Sequence, residues 1–342
     1  MRIAQIAPLY ERVPPLLYGG TERVVSYLTE ELVAQGHEVT LFASGDSLTK
    51  ARLVPCSERS LRLDQQVIDP LAHHFVMLEE VFARAHEFDV LHFHIDYLHY
   101  PLSLRQKSLR HVTTLHGFLD MPDLQPLYKK FRTVPLVSIS NAQREPIAWA
   151  NWLGTVYHGL PLDLYAAREQ PGDYLVFLGR VSPEKRLDRA IEIANRTGRT
   201  LKVAAKVDNA DRKYFEKRIR HLLDDPLVEW IGEVGEEDKQ QLLSSAYALL
   251  FPIDWPEPFG LVLVEAMACG TPSIAYRGGS VSELVENGVS GFVVDDIEEA
   301  VTAVEKARSI DRSACRRRFE ERFSAPRMTA DYLKIYETLL RP

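Results

Sequence analysis

The chain is 342 residues long, room for about two domains at the usual ~100–200 residues each, and its 46% hydrophobic and 26% charged residues exclude wholesale disorder. A net charge of −7 argues against nucleic acid as the main ligand, and Cys56, Cys269 and Cys315, far apart and without CxxC spacing, argue against a disulfide framework or a structural zinc. The apolar stretch before Glu11 is too short for a secretory core, and no run of about 18 apolar residues is present to span a membrane, so a cytoplasmic protein is expected.

Residues 3–7 read as a first buried strand. Residues 21–35 follow with Val24, Val25, Leu28 and Leu32 on one helical face, and Gly36 suits the end of that helix. Strands are then expected at 39–43, 90–93, 112–115, 136–139 and 155–157, with helical stretches such as 71–86 between them. A looser stretch over 158–173, containing Pro161 and Pro171, separates a second run. There, strand 174–178 leads to helix 186–197, strand 201–205 and helix 212–223, and further strands are expected at 228–231, 248–252, 272–275 and 291–294. In the tail, Met328, Tyr332, Ile335, Tyr336 and Leu339 share helical spacing and need a surface to cover. Strands spaced by helices favour right-handed crossovers and parallel sheets. The expected fold class is therefore α/β: two doubly wound, Rossmann-like domains facing across a cleft, with the ligand at the carboxyl ends of the strands.

Several chemistries are excluded by spacing. No two of the 18 glycines stand two residues apart, so the GxGxxG dinucleotide fingerprint is absent. No glycine precedes a lysine, which removes the Walker phosphate loop, and neither GxSxG nor HExxH occurs. The aspartates never form D-x-D, which weakens a metal bridge to a diphosphate. His92, His94, His99, His111 and His116 crowd one region. His92 and His94 share a strand face, and they read better as polar lining of a cleft mouth than as metal ligands.

What remains points to an anionic ligand. Tyr18-Gly19-Gly20-Thr21 lies between the first strand and first helix, where glycines permit close backbone approach and helix amides face an anion. His116 follows strand 112–115 in the sequence TLHG, at a strand end where α/β sites assemble. In GRVSPEKR, Arg180 leaves a strand and Lys185 begins the next helix, with Ser182 as its cap and Pro183 in its first turn; two cations beside a helix amino terminus clamp a diphosphate. The sharpest signal is EPFGLVLVEAMACGTP. It presents Glu257 on a proline-bounded loop, then a helix from near Gly260 to Gly270, with the amides of Phe259, Gly260 and Leu261 at its positive end. Glu265 lies over a turn in, where its carboxylate can take ribose hydroxyls. Glu257 and Glu265 do not suit a glycosidase pair: eight helical steps span about 12 Å, beyond the ~5–9.5 Å such pairs need.

These motifs resemble those of family 4 glycosyltransferases, retaining enzymes of the GT-B fold. The resemblance runs through YGGTER, GHEVTLFA, TLHG, GRVSPEKRLDRAI and, most specifically, the E-x7-E segment. It implies a nucleotide-diphosphate sugar as donor substrate, with no separate cofactor. The donor is held mainly by a second domain, residues 159–326. An unidentified hydroxyl acceptor is held by a first domain, residues 1–158, to which a terminal helix, 327–342, returns. By the same resemblance Arg180 and Lys185 neutralise the diphosphate, Glu265 holds the ribose, Glu257 contacts the donor sugar, and Gly20 approaches the phosphates. His116 touches the sugar near the reacting carbon, and Val234 lies near the nucleobase. Two positions depart from the family: Tyr157-His158-Gly159-Leu160-Pro161 replaces a PNGVD-like linker, and Ala204-Ala205-Lys206 replaces a glycine pair.

The expected reaction is front-face transfer, with Arg180 and Lys185 doing the work of a metal. The alternatives are a nucleotide-sugar epimerase of the same fold and a non-catalytic nucleotide-sugar-binding protein. Lys129, Lys130 and Arg132 suggest peripheral contact with a membrane that carries lipid acceptors, against the plainer reading of a solvated face.

Overall fold

The computed structural model describes residues 1–17, 19–106 and 108–341, so Tyr18 of the glycine turn lies outside the described residues. The chain divides into two compact units, Met1–Pro161 with Ser324–Pro342, and Leu162–Phe323. The divisions fall three residues from the expected ones, after Pro161 instead of 158 and before Ser324 instead of 327.

The first unit is built on seven strands: β1 (Arg2–Ile6), β2 (Glu38–Ser44), β3 (Arg52–Ser57), β4 (Val90–Phe93), β5 (His111–Thr114), β6 (Leu136–Ser138) and β7 (Trp152–Thr155). All pair in parallel, in the order β3-β2-β1-β4-β5-β6-β7. The central strands are buried on both faces, which is why they read as near-continuous apolar runs. The sequence reading did not anticipate β3. It carries Arg52 and Pro55, and the proline is tolerated because β3 is an edge, where a missing N–H breaks no ladder on the outer side. The last strand lies at Trp152–Thr155 rather than at 155–157.

The second unit has six strands: β8 (Leu175–Arg180), β9 (Leu201–Lys206), β10 (Val228–Trp230), β11 (Ala248–Phe251), β12 (Ser273–Tyr276) and β13 (Gly291–Val294). They are again parallel, in the order β10-β9-β8-β11-β12-β13. Strand order reverses between β1 and β4 in one unit and between β8 and β11 in the other. In doubly wound sheets ligands bind at that reversal, outside the carboxyl ends of the strands.

The helix Gly20–Ala34 enters directly after Gly19, whose φ of 147° a side chain would rarely adopt. The helix expected from 186 begins at Leu187, because Arg186 is left-handed at φ 52° and interrupts the turn before it. Over 212–223 the single expected helix is broken into an α turn (Arg212–Tyr214), a π turn (Phe215–Ile219) and a 3-10 turn (Arg220–Asp224). The terminal helix Ala325–Leu340 packs on Gly20–Ala34 and β4 of the first unit, burying Met328, Tyr332 and Tyr336. Gly159 lets the chain pass its start: a Cβ there would lie 2.2 Å from the carbonyl oxygen of Ser324. Among the described residues the three cysteines are free, and no helix is long and apolar enough to cross a membrane.

Candidate active site

In the second unit, β8 ends at Arg180 and the chain makes one 3-10 turn, Pro183–Lys185. Lys185 therefore closes that turn instead of opening a helix, and Ser182 makes no side-chain cap. Both expected cations already have carboxylate partners. Arg180 is 2.7 Å from Glu184, 3.5 Å from Asp211 and 3.7 Å from Asp208. Lys185 is ion-paired with Glu257 Oε2, and its ammonium lies 5.1 Å from the Trp255 ring centroid and 5.3 Å from that of Phe251. Trp255 Nε1 donates to the same Glu257 oxygen at 3.0 Å. The lysine thus sits in a cage of two aromatic faces and one buried carboxylate, which already balances its charge. Lys206, at the end of β9, pairs with Asp208 at 3.3 Å.

The helix of the E-x7-E segment is Leu261–Ala268, opened by Gly260 in the left-handed region at φ 83°. Leu261 is its first residue, so the amides at Phe259 to Leu261 lie at its positive end. The preceding loop is held from outside by the turn after β12, which the sequence reading passed over. Ser280 N–H donates to the Glu257 carbonyl at 2.9 Å, and the Ser280 hydroxyl to the Phe259 carbonyl at 2.7 Å. Gly279 has φ 53°, and a Cβ there would lie 2.2 Å from the Glu257 carbonyl oxygen. The signal was present as Arg277-Gly278-Gly279-Ser280.

Glu265 is 5% exposed. Its Oε1 accepts from Lys239 Nζ at 2.5 Å and from the Tyr165 hydroxyl at 3.4 Å, while Oε2 has no hydrogen bond among the described residues. Lys239 also pairs with Glu236 at 3.0 Å. One oxygen of Glu265 is therefore anchored and charge-balanced, and the other is left to accept. Lys239 sits in the polar run EEDKQQ, which resembles a solvated face, so periodicity gave no hint of its buried pair. Val234 is half-buried in the loop between β10 and the helix Glu236–Ser244.

In the first unit Gly20 is the first residue of its helix, and nothing lies within 4 Å of where its Cβ would be. Two residues on, burial pushes the Glu22 carboxyl up to about 7. His116 is half-buried at the end of β5, and burial pushes its pKa down to about 3. Its turn is bracketed by Gln143, another residue missed from sequence. The Gln143 amide donates to the carbonyls of Leu115 and Gly117, each at 2.8 Å, and its oxygen accepts from Ile139 N–H at 2.9 Å. His92 and His94 do not line a cleft mouth. Both are buried, their rings 4.0 Å apart, and they belong to an internal network beneath the terminal helix. Lys129, Lys130 and Arg132 are exposed. Among the described residues no three ligating side chains are grouped to hold a metal ion.

Comparison with known proteins agrees with this architecture. Residues 18–152 match the family model described as glycosyltransferase family 4, and residues 167–322 match that of glycosyl transferases group 1. The chain is 24% identical to an uncharacterised glycosyltransferase of Methanocaldococcus jannaschii, over 86% of this chain and 85% of that protein. Sucrose-phosphate synthase from Thermosynechococcus elongatus superposes with a TM-score of 0.80 at 18% identity, covering 99% of both chains. The Anabaena protein HepE, in complex with UDP-glucose, superposes with a TM-score of 0.73 at 17% identity, covering 99% of this chain and 100% of that one. At such identities the superpositions establish the fold.

Proposed function

The chain belongs to the family 4 glycosyltransferases of the GT-B fold, and we propose that it is a retaining, metal-independent enzyme that moves a sugar from a nucleotide-diphosphate donor to a hydroxyl acceptor. The observation that carries this reading is Lys185 in its carboxylate and aromatic cage, on the turn that follows Arg180 at the end of β8. Breaking the bond between anomeric carbon and phosphate oxygen leaves positive charge on the sugar and negative charge on the diphosphate. Arg180 and Lys185 exchange carboxylate for phosphate oxygens as that charge grows, together with the first amides of helix Leu261–Ala268. Groups that act most strongly on the developing charge are those that accelerate a reaction. Glu265, anchored through Oε1, offers Oε2 to the ribose hydroxyls.

Glu257 contacts the donor sugar. Its Oε2 is occupied by Lys185 and by Trp255 Nε1, which suits it to position and not to attack. Front-face transfer is the favoured course. The acceptor oxygen bonds to the anomeric carbon on the face the phosphate leaves, and the acceptor proton passes to the departing phosphate oxygen. Since a protein of the same fold binds UDP-glucose, that compound is the first donor to test.

A thermal-shift panel of nucleotide sugars, led by UDP-glucose, tests the reading. A donor present at 100 times its Kd adds about 2.7 kcal/mol of stability, a rise of several degrees in Tm. Absence of a shift with every nucleotide sugar overturns it. With the donor in hand, the anomeric configuration of the product tests retention, and transfer in excess EDTA tests metal independence. An epimerised nucleotide sugar as the product without any acceptor would instead indicate an epimerase.

A further inference from the structure

A buried hydrogen-bonded chain in the first unit ends at His116, and its direction follows from what each atom can donate. Gln5 is fully buried in β1. Its side-chain oxygen can only accept, so the hydrogen of its 2.8 Å bond with His94 sits on His94 Nε2. Burial holds the His94 ring neutral, far below its ordinary pKa, which leaves Nδ1 bare. The 2.9 Å bond between His94 Nδ1 and His116 Nε2 must then use the hydrogen of His116 Nε2. His116, neutral for the same reason, is left with a bare Nδ1. That nitrogen is buried and has no hydrogen-bond partner among the described residues.

The other side of the Gln5 amide runs the opposite way. Its nitrogen donates to the Tyr336 hydroxyl at 3.1 Å, the hydroxyl donates to His92 Nδ1 at 2.7 Å, and His92 Nε2 donates to Thr114 at 2.7 Å. Turning this one amide over reverses every bond in both branches and ends with a hydrogen on His116 Nδ1. Gln5 is thus the only amide in the path, and its orientation sets the polarity of the whole chain.

We propose that Gln5 and His94 are positioning residues that lock His116 in the tautomer with a bare Nδ1, making it the acceptor for a hydroxyl of the transferred sugar. The sugar as ligand rests on the function proposed above; the tautomer does not. A hydroxyl fits because it brings the missing hydrogen without charging a buried ring. A phosphate oxygen has no hydrogen to give and would set lone pair against lone pair, so this nitrogen selects sugar over phosphate.

The test uses the full chain labelled with 15N-histidine, in a long-range proton–nitrogen spectrum recorded without ligand, with His116 assigned by its loss in His116→Asn. The expected spectrum has an unprotonated Nδ1 and a protonated Nε2 at His116. Gln5→Met keeps the size and removes the acceptor, so both nitrogens should move toward the averaged positions of an exchanging ring. Its kcat/KM should fall about tenfold, mainly through KM for the donor. A hydrogen on Nδ1 in the wild type, or an unchanged His116 signature in a folded Gln5→Met, overturns the proposal. The wild-type spectrum decides even if the methionine variant does not fold. Should no nucleotide sugar be turned over, the function falls while the tautomer is still read from the ligand-free spectrum.

Discussion

Lys185 shows how one side chain's chemistry depends on what it displaces. Its charge is balanced by Glu257 and flanked by Phe251 and Trp255, so a diphosphate must compete with a carboxylate already in place. That competition favours the transition state, whose leaving group carries more charge than the bound donor. Lys185→Ala is expected to lower kcat by about 100- to 1,000-fold, as loss of one oxyanion donor does elsewhere. It should leave a cooperative thermal unfolding curve, since Trp255 still satisfies Glu257. Steady-state assays with the donor found by thermal shift check this, and near-normal turnover would refute the clamp. The residue-scale surprises were the supports. Gln143, Lys239 and Gln5 are polar side chains that each have a decisive partner far away in sequence, at Leu115, Glu265 and His94, so nothing in their local pattern marked them.

The elements that matter most are turns and helix starts rather than the sheet. The helix Leu261–Ala268 is predicted well because its limits are local: Gly260 opens it and Gly270, left-handed at φ 72°, follows its end. The loop before it is set by another element, the turn Arg277–Ser280, through close backbone approach at Gly279. Gly279→Ala should therefore cost more than about 2 kcal/mol, since it combines a left-handed φ with a clash against fixed backbone. Urea denaturation measures that cost. The same variant should also lose transfer activity, because the displaced backbone carries Glu257. The helix 212–223 went the other way: its composition suits one helix, yet the chain is broken into three kinds of turn there.

At the scale of the molecule, the two units differ in their response to acid. Every histidine except His221 lies in the first unit, and burial lowers the pKa of His92, His94, His99, His111, His116 and His158, to about 4 for His111 and about 3 for His116. Such a ring stays neutral when folded and takes a proton when unfolded, near pH 6.5. Its stabilisation is thus complete above about pH 6.5 and is lost as pH falls toward the folded pKa, at up to about 1.4 kcal/mol per pH unit for each fully buried ring. Glu22, raised to about 7, and Asp96, raised to about 6, work in the opposite sense, but they are two groups against six. Calorimetry at pH 7.5 and 5.5 should show the first unit's transition moving to lower temperature much more than the second's. Equal shifts in both would count against the buried neutral histidines.

By itself the sequence determined the alternation of strand and helix, the two-domain α/β class and the positions of Arg180, Lys185, Glu257 and Glu265, because periodicity, caps and turn residues act over a few positions. Tertiary structure decided which charges are already paired, that β3 forms an edge despite Pro55, and that the histidines expected at a cleft mouth are buried beneath the terminal helix. The reason is physical. Propensity is local, whereas desolvation and hydrogen-bond direction depend on neighbours such as Gln5 and Tyr336, brought together only when the chain closes on itself.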